Sequence, residues 1–187
     1  MPVQVGVTSI QGDFEKHIEA FSRLGISARR IREPEDLKNL THLVLPGGES
    51  TTVGMLMERF GLGAAIQEAA KGGLAVWGTC MGMILMAKDI EDREQYSLDL
   101  LDITVRRNAF GAQVHSFEDT VAFKGLPSQV TGVFIRAPIV TRLGTDVKTL
   151  ARYEDKVVAV RQGKRLGTSF HPELTDDDSL HSWFLEF

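Results

Sequence analysis

Apolar positions in the first ninety residues alternate between two rhythms. Residues 3–10, 26–31, 42–45 and 74–77 read as short strands, and the apolar runs in 42–45 and 74–77 have the pattern of strands buried on both faces. Between them apolar residues recur every three or four positions. Phe14, Ile18, Phe21 and Leu24 share one helical face, with Asp13 placed to cap and Gly25 to stop it. Val53, Leu56, Met57 and Phe60 form a second stripe, opened by Ser50 or Thr51 and ended by Gly61. A third helix runs through Ile66 and Ala69 to Gly72-Gly73, and residues 81–87 follow the fourth strand as a further helix. Strands alternating with helices predict a parallel sheet covered on both faces.

The second half changes rhythm. Residues 101–106, 113–123, 130–135, 150–153, 157–161 and 166–170 are strand-like with turn residues between, which predicts hairpins and late strands extending the same sheet. Leu180, Trp183, Phe184 and Phe187 close the chain as a last helical stripe. Asp176, Asp177 and Asp178 before it suit a helix start, where the dipole favours acids, better than a metal site. The pattern predicts an α/β three-layer sandwich with a mostly parallel central sheet and an antiparallel extension. With no repeat or linker, residues 1–187 read as a single domain.

Composition narrows the function. A chain of 187 residues with 43% hydrophobic and 25% charged residues is ordinary for a globular protein, and a net charge of -4 offers no basic footprint for nucleic acid. No apolar run reaches membrane-span length and the N-terminus lacks signal-peptide character, so a cytoplasmic protein is expected. One cysteine excludes an internal disulfide, and no metal-ligand spacing is present, so neither metal nor cofactor is expected.

That cysteine, Cys80, lies in GTCMG at 78–82, between a buried strand and a helix. Glycines on both sides allow the tight turn of a nucleophile elbow, which places a thiol at the carboxyl edge of a parallel sheet and at a helix start. Helix starts favour a thiolate. Of five histidines only His171 has a telling setting, in SFHPE after a strand-like run. Pro172 biases His171 toward an extended backbone, so His171 and Glu173 should point to one side, as the base and orienting group of a triad. The loop PGGE at 46–49 follows another buried strand on the same edge; an N–H of Gly47 or Gly48, with that of Met81, suits an oxyanion. A phosphate loop is the rival reading, but the lysine it needs is missing.

These residues resemble the class I, triad-type glutamine amidotransferases. PGGESTT at 46–52, RNAFG at 107–111, SFE at 116–118, GVFIRAP at 132–138 and SFHPELT at 169–175, with Gln11-Gly12 and the elbow, resemble more narrowly the family of glutaminase subunits of the deoxyxylulose-phosphate-independent pyridoxal 5'-phosphate synthases. The resemblance implies a flavodoxin-like fold, hydrolysis of L-glutamine, and delivery of ammonia through a tunnel to a synthase subunit. It also implies Cys80 as nucleophile, His171 as acid/base, Glu173 as its partner, and Gly47, Gly48, Glu49, Ser50, Arg107, Ile135 and Arg136 around glutamine. Arg107 or Arg136 is the type of residue that pairs with the substrate carboxylate. Met81 departs from the family pattern, where alanine is usual, and narrows the expected pocket. A glutaminase serving another synthase and a cysteine hydrolase of similar fold are the alternatives.

Overall fold

The computed structural model describes residues 2–91, 93–110 and 116–187. Its main sheet begins with β1 (Val5–Thr8), followed by α1 (Phe14–Arg23), β2 (Ala28–Ile31), a 3-10 turn (Pro34–Leu37) and β3 (His42–Leu45). Next come α2 (Ser50–Arg59), α3 (Leu62–Lys71), β4 (Ala75–Thr79) and α4 (Met81–Met86). The second half supplies β5 (Ala87–Ile90), β6 (Leu101–Arg106), β7 (Ser116–Val121), β8 (Val130–Ile135) and β9 (Ile139–Leu143). The last elements are β10 (Lys148–Tyr153), β11 (Lys156–Gln162), β12 (Arg165–Thr168), a 3-10 turn (Pro172–Leu174) and α5 (Ser179–Phe184).

The order β2-β1-β3-β4-β12-β11-β9-β6-β5, with β10 beside β11, contains a parallel block from β2 to β12. From β11 onward the pairing turns antiparallel except for β5 with β6. This is the mostly parallel sheet with an antiparallel extension that the pattern predicts. Strand alternation divides the core between two faces. Leu43, Leu45 and Val76 join the side chains of α2, α3 and α4 in one cluster, whereas Val44, Ala75 and Trp77 join Phe21 of α1 and Phe184 of α5 in the other.

Several local expectations are corrected. β7 and β8 do not extend the main sheet but make their own two-stranded ribbon; residues 113–115, expected to begin β7, lie outside the described residues. The helix expected over 81–87 ends at Met86, and Ala87 turns extended (φ -66°, ψ 148°) into β5. Residues 83–87 are buried on every side, so the sequence carries no periodicity to mark that change. β9 is hidden for a different reason: IVTRL buries its first two residues and exposes the next three, so it shows no alternation. Asp13 occupies the N-cap position of α1 without capping through its side chain.

Candidate active site

The sheet register brings the candidate residues together. β4 and β12 run parallel with Thr79 opposite Thr168, so the chain leaves both strands at one edge. The Cys80 N–H donates to the Thr168 carbonyl at 2.8 Å, fastening the elbow to the start of the segment that carries His171. β3 ends alongside, with Leu45 opposite Gly78, and so places the 46–49 loop there. The His171 N–H donates to the Val133 carbonyl of β8 at 2.8 Å, which delivers Ile135 and Arg136 to the same place.

At the elbow Cys80 has φ 49° and ψ -105°, a left-handed backbone that an L-residue adopts at a cost. The flanking glycines let it form. A Cβ on Gly82 would fall 1.9 Å from the Leu45 carbonyl oxygen, and one on Gly78 would fall 2.4 Å from the Gly82 carbonyl carbon. Strand and helix therefore pass within backbone contact, and the thiol projects with only 8% of the residue exposed. Its Sγ contacts the Ile135 carbonyl oxygen at 3.8 Å.

His171 Nδ1 lies 2.7 Å from Glu173 Oε1, and both residues are buried. The expected extended segment is instead the 3-10 turn starting at Pro172, which folds Glu173 back under the imidazole. Burial disfavours an imidazolium, but hydrogen bonds to Cys80 and Glu173 reverse that and push His171 up to about 10. A protonated imidazole is the charge state these contacts favour for His171. Burial raises the Glu173 carboxyl, against the pull of His171. The Gly47 α-carbon packs against the His171 ring, leaving no room for a side chain: its Cβ would lie 2.3 Å from Cε1.

A small cavity of about 80 Å³ opens beside the thiol. Gly48, Glu49, Ser50, Met81, Arg107, Ile135 and Arg136 line it with Cys80, so the predicted site residues converge, and Ile84 and Asn108 join them unpredicted. Gly47 stands just behind, against His171. Glu49 is the true N-cap of α2: its carboxylate accepts from Thr51 N (3.1 Å) and Thr52 N (2.8 Å). Partial burial pushes its carboxyl up, but those donors win and hold it at about 2. Arg107 Nη2 stands 3.8 Å from that carboxylate, and its Nη1 donates to Gln95 Oε1 at 3.3 Å, as does Ser50 Oγ at 3.2 Å. Arg136 is exposed with φ 45°. Met81 is buried, its methyl group turned toward Gly48. Asp177 Oδ1 accepts the Ser179 N–H, as expected of an acid at a helix start, whereas Asp178 makes no side-chain cap and pairs with Arg23 of α1.

Two histidines were missed. His17 of α1 and His181 of α5 are fully buried behind Glu173. The signal was present: each is a polar residue within an apolar stripe. Gly111 and His115 lie outside the described residues. Atoms of Asp13, His171 and Glu173 lie within 4.8 Å of one another, a trio of metal-ligating types, but Nδ1 of His171 is already engaged by Glu173.

A cysteine at a strand-to-helix elbow, facing a buried His–Glu pair at the carboxyl edge of a parallel sheet, is the arrangement of residue types that cysteine-dependent acyl transfer uses. Comparison with known proteins gives the family. The profile of the SNO glutamine amidotransferase family matches residues 7–187, and the chain belongs to that family. It is 52% identical over 184 residues to the pyridoxal 5'-phosphate synthase subunit PdxT of Thermus thermophilus, covering 97% of this chain and 96% of that one. PdxT of Cutibacterium acnes is 46% identical over 190 residues, covering 97% and 94%. A solved structure described as a glutamine amidotransferase superposes with TM-score 0.94 at 50% identity, covering 97% of each chain. The PurLQS structure from Thermotoga maritima shares the fold at TM-score 0.74 and 17% identity, covering 100% of this chain and 99% of that one.

Proposed function

We propose that the chain, folded as one amidotransferase domain over residues 1–187, hydrolyses L-glutamine to L-glutamate and ammonia as the glutaminase subunit of a pyridoxal 5'-phosphate synthase. The observation that carries this reading is the buried Cys80–His171–Glu173 alignment beside a cavity lined by both Glu49 and Arg107. A carboxylate and a guanidinium are the partners that an amino acid's ammonium and carboxylate need, and the thiol meets the side-chain amide. The PdxT names of relatives about half identical over nearly their whole length support the assembly with a synthase subunit.

The Cys80 thiolate attacks the carboxamide carbon, and the amide N–Hs of Gly48 and Met81 receive the oxyanion. The C–N bond breaks as the His171 imidazolium gives its Nε2 proton to the leaving nitrogen, releasing ammonia and leaving a thioester on Cys80. Water then attacks that carbonyl while His171 takes its proton. The C–S bond breaks, glutamate leaves, and the thiolate–imidazolium pair is restored. Glu173 holds the imidazole in the tautomer both steps need. No cofactor takes part, and a working thiolate suits the reducing cytoplasm.

The test is ammonia release from glutamine by the chain alone and with a pyridoxal 5'-phosphate synthase subunit, for wild type and Cys80→Ala. Release that needs the thiol and rises with the synthase is expected. Silence of the wild type with a docked synthase, or an active alanine variant, would overturn the reading.

A further inference from the structure

Behind the triad lies a second pair of imidazoles that the mechanism above does not use. His17 Nδ1 and His181 Nε2 are 2.9 Å apart, and both residues are wholly buried. The other His17 nitrogen, Nε2, faces Thr79 Oγ1 at 3.2 Å and Glu173 Oε2 at 3.4 Å. While Glu173 Oε1 is bound to His171, Oε2 has no full hydrogen bond among the described residues, so the His17 contact is its polar neighbour.

The proton positions follow from this geometry. If His17 carried its proton on Nδ1, its Nε2 lone pair would face the carboxylate, and His181 Nδ1, which has no partner among the described residues, would become a buried unsatisfied N–H. The opposite tautomer avoids both costs. His181 Nε2–H then donates to His17 Nδ1, His17 Nε2–H is shared between Thr79 and Glu173, and only a lone pair on His181 is left unmet. Trp77 packs edge-on against both rings, which fixes their planes.

We propose that His17, held in one tautomer by His181, is a positioning residue that turns an N–H toward Glu173 and keeps that carboxylate ionised and aimed at His171. The inference builds on the triad reading given above. Burial holds His17 well below the usual imidazole range and His181 at about 4, so the pair stays neutral near neutrality. A neutral donor suits the task, because a second cation would compete with His171 for the carboxylate. The other charged groups facing this network are Asp13 at the start of α1, whose negative charge raises Glu173, and Asp177, Asp178 and Arg23 around His181. Asp13 makes the donor more necessary, since it opposes a charged Glu173.

The test reads the Cys80–His171 pair directly, by the rate at which iodoacetamide alkylates Cys80 from about pH 5 to about pH 9. His17→Leu removes the donor; His17→Gln keeps an N–H at similar reach. For His17→Leu the midpoint of the alkylation profile should rise by roughly one pH unit, with alkylation near pH 6 about tenfold slower. In the synthase complex its kcat should fall by a similar factor with little change in KM, and His17→Gln should recover most of both. A wild-type profile in folded His17→Leu, or equal impairment in the two variants, would overturn the proposal. If His17→Leu does not fold, His181→Phe, which removes the group that sets the tautomer, should move the midpoint in the same direction; no movement would sink the idea. Alkylation needs no glutamine, so a shifted profile in a chain that never releases ammonia would leave His17 as proposed and remove the glutaminase reading.

Discussion

The α-carbon of Gly82 in α4 rests against the Leu45 carbonyl of β3, so closely that any side chain would overlap it. This contact lets α4 start directly beneath the sheet edge and puts Cys80 into its left-handed turn. Gly82→Ala should therefore separate strand and helix and displace the thiol, not merely fill space. The expected result is loss of at least 2 kcal/mol of stability, about the cost of an overpacked core site, together with loss of rapid Cys80 alkylation. Wild-type alkylation in Gly82→Ala would show that the elbow does not depend on this approach.

His171→Asn removes the group that moves protons, whereas Glu173→Gln leaves the imidazole and alters only its partner. Glutamine turnover should fall by about a thousandfold or more in the first and by a smaller factor in the second. Steady-state rates of the synthase complex would decide it. Near-wild-type rates in both variants would remove the pair from the mechanism.

The sequence made the elbow and the HPE segment legible because each is a local pattern: glycines two residues either side of Cys80, and a histidine after a strand. The parallel block was equally plain from short apolar runs separated by amphipathic helices. What stayed hidden was set by pairing across the chain. β5 begins inside the fully buried run 83–87, where no periodicity marks the change from helix to strand, and β9 buries its first two residues and exposes the next three, so it shows no alternation. The resemblance places Glu49 around glutamine, but its role as a helix cap appears only when Thr51 and Thr52 are folded above it. His17 and His181, 164 positions apart, meet only because α1 and α5 cover the same face of the sheet. Nor does local sequence show that the turn after His171 is 3-10 and not extended, since Pro172 fits both.

Glu49 has two roles that can be separated. Glu49→Gln keeps an acceptor oxygen for α2 but loses the charge beside Arg107, so stability should change by less than about 1 kcal/mol while KM for glutamine rises about tenfold or more. Glu49→Ala should show both losses. A Gln variant with wild-type KM would assign Glu49 to the helix alone.

Met81 fills space next to Gly48, where the cavity is too small to enclose glutamine: about 80 Å³, against the roughly 300 Å³ and upward of typical ligand sites. Met81→Ala keeps the backbone N–H and removes the side chain. It should cost about 2–3 kcal/mol of stability and raise kcat/KM of the subunit without its synthase several-fold. An unchanged kcat/KM would mean that the Met81 side chain does not limit entry.

Acid sensitivity should arise from the buried imidazoles. His181 is held neutral down to about 4 and His17 is lowered well below its ordinary value, both chiefly by burial. In the unfolded chain each takes a proton near 6.5, so below that pH the unfolded state binds more protons and the folded state loses ground. The stabilisation is present above 6.5 and drains as the pH falls toward 4. His181 alone accounts for about 3 kcal/mol across that window, since moving a titration by one pH unit is worth about 1.4 kcal/mol. Melting temperature should fall by roughly 10 °C between about pH 6.5 and about pH 4.5, and His181→Phe, which has nothing to protonate, should flatten that slope. The contact with Trp77 keeps the aromatic replacement packed. If wild type and His181→Phe lose stability in parallel on acidification, the buried pair is not the source.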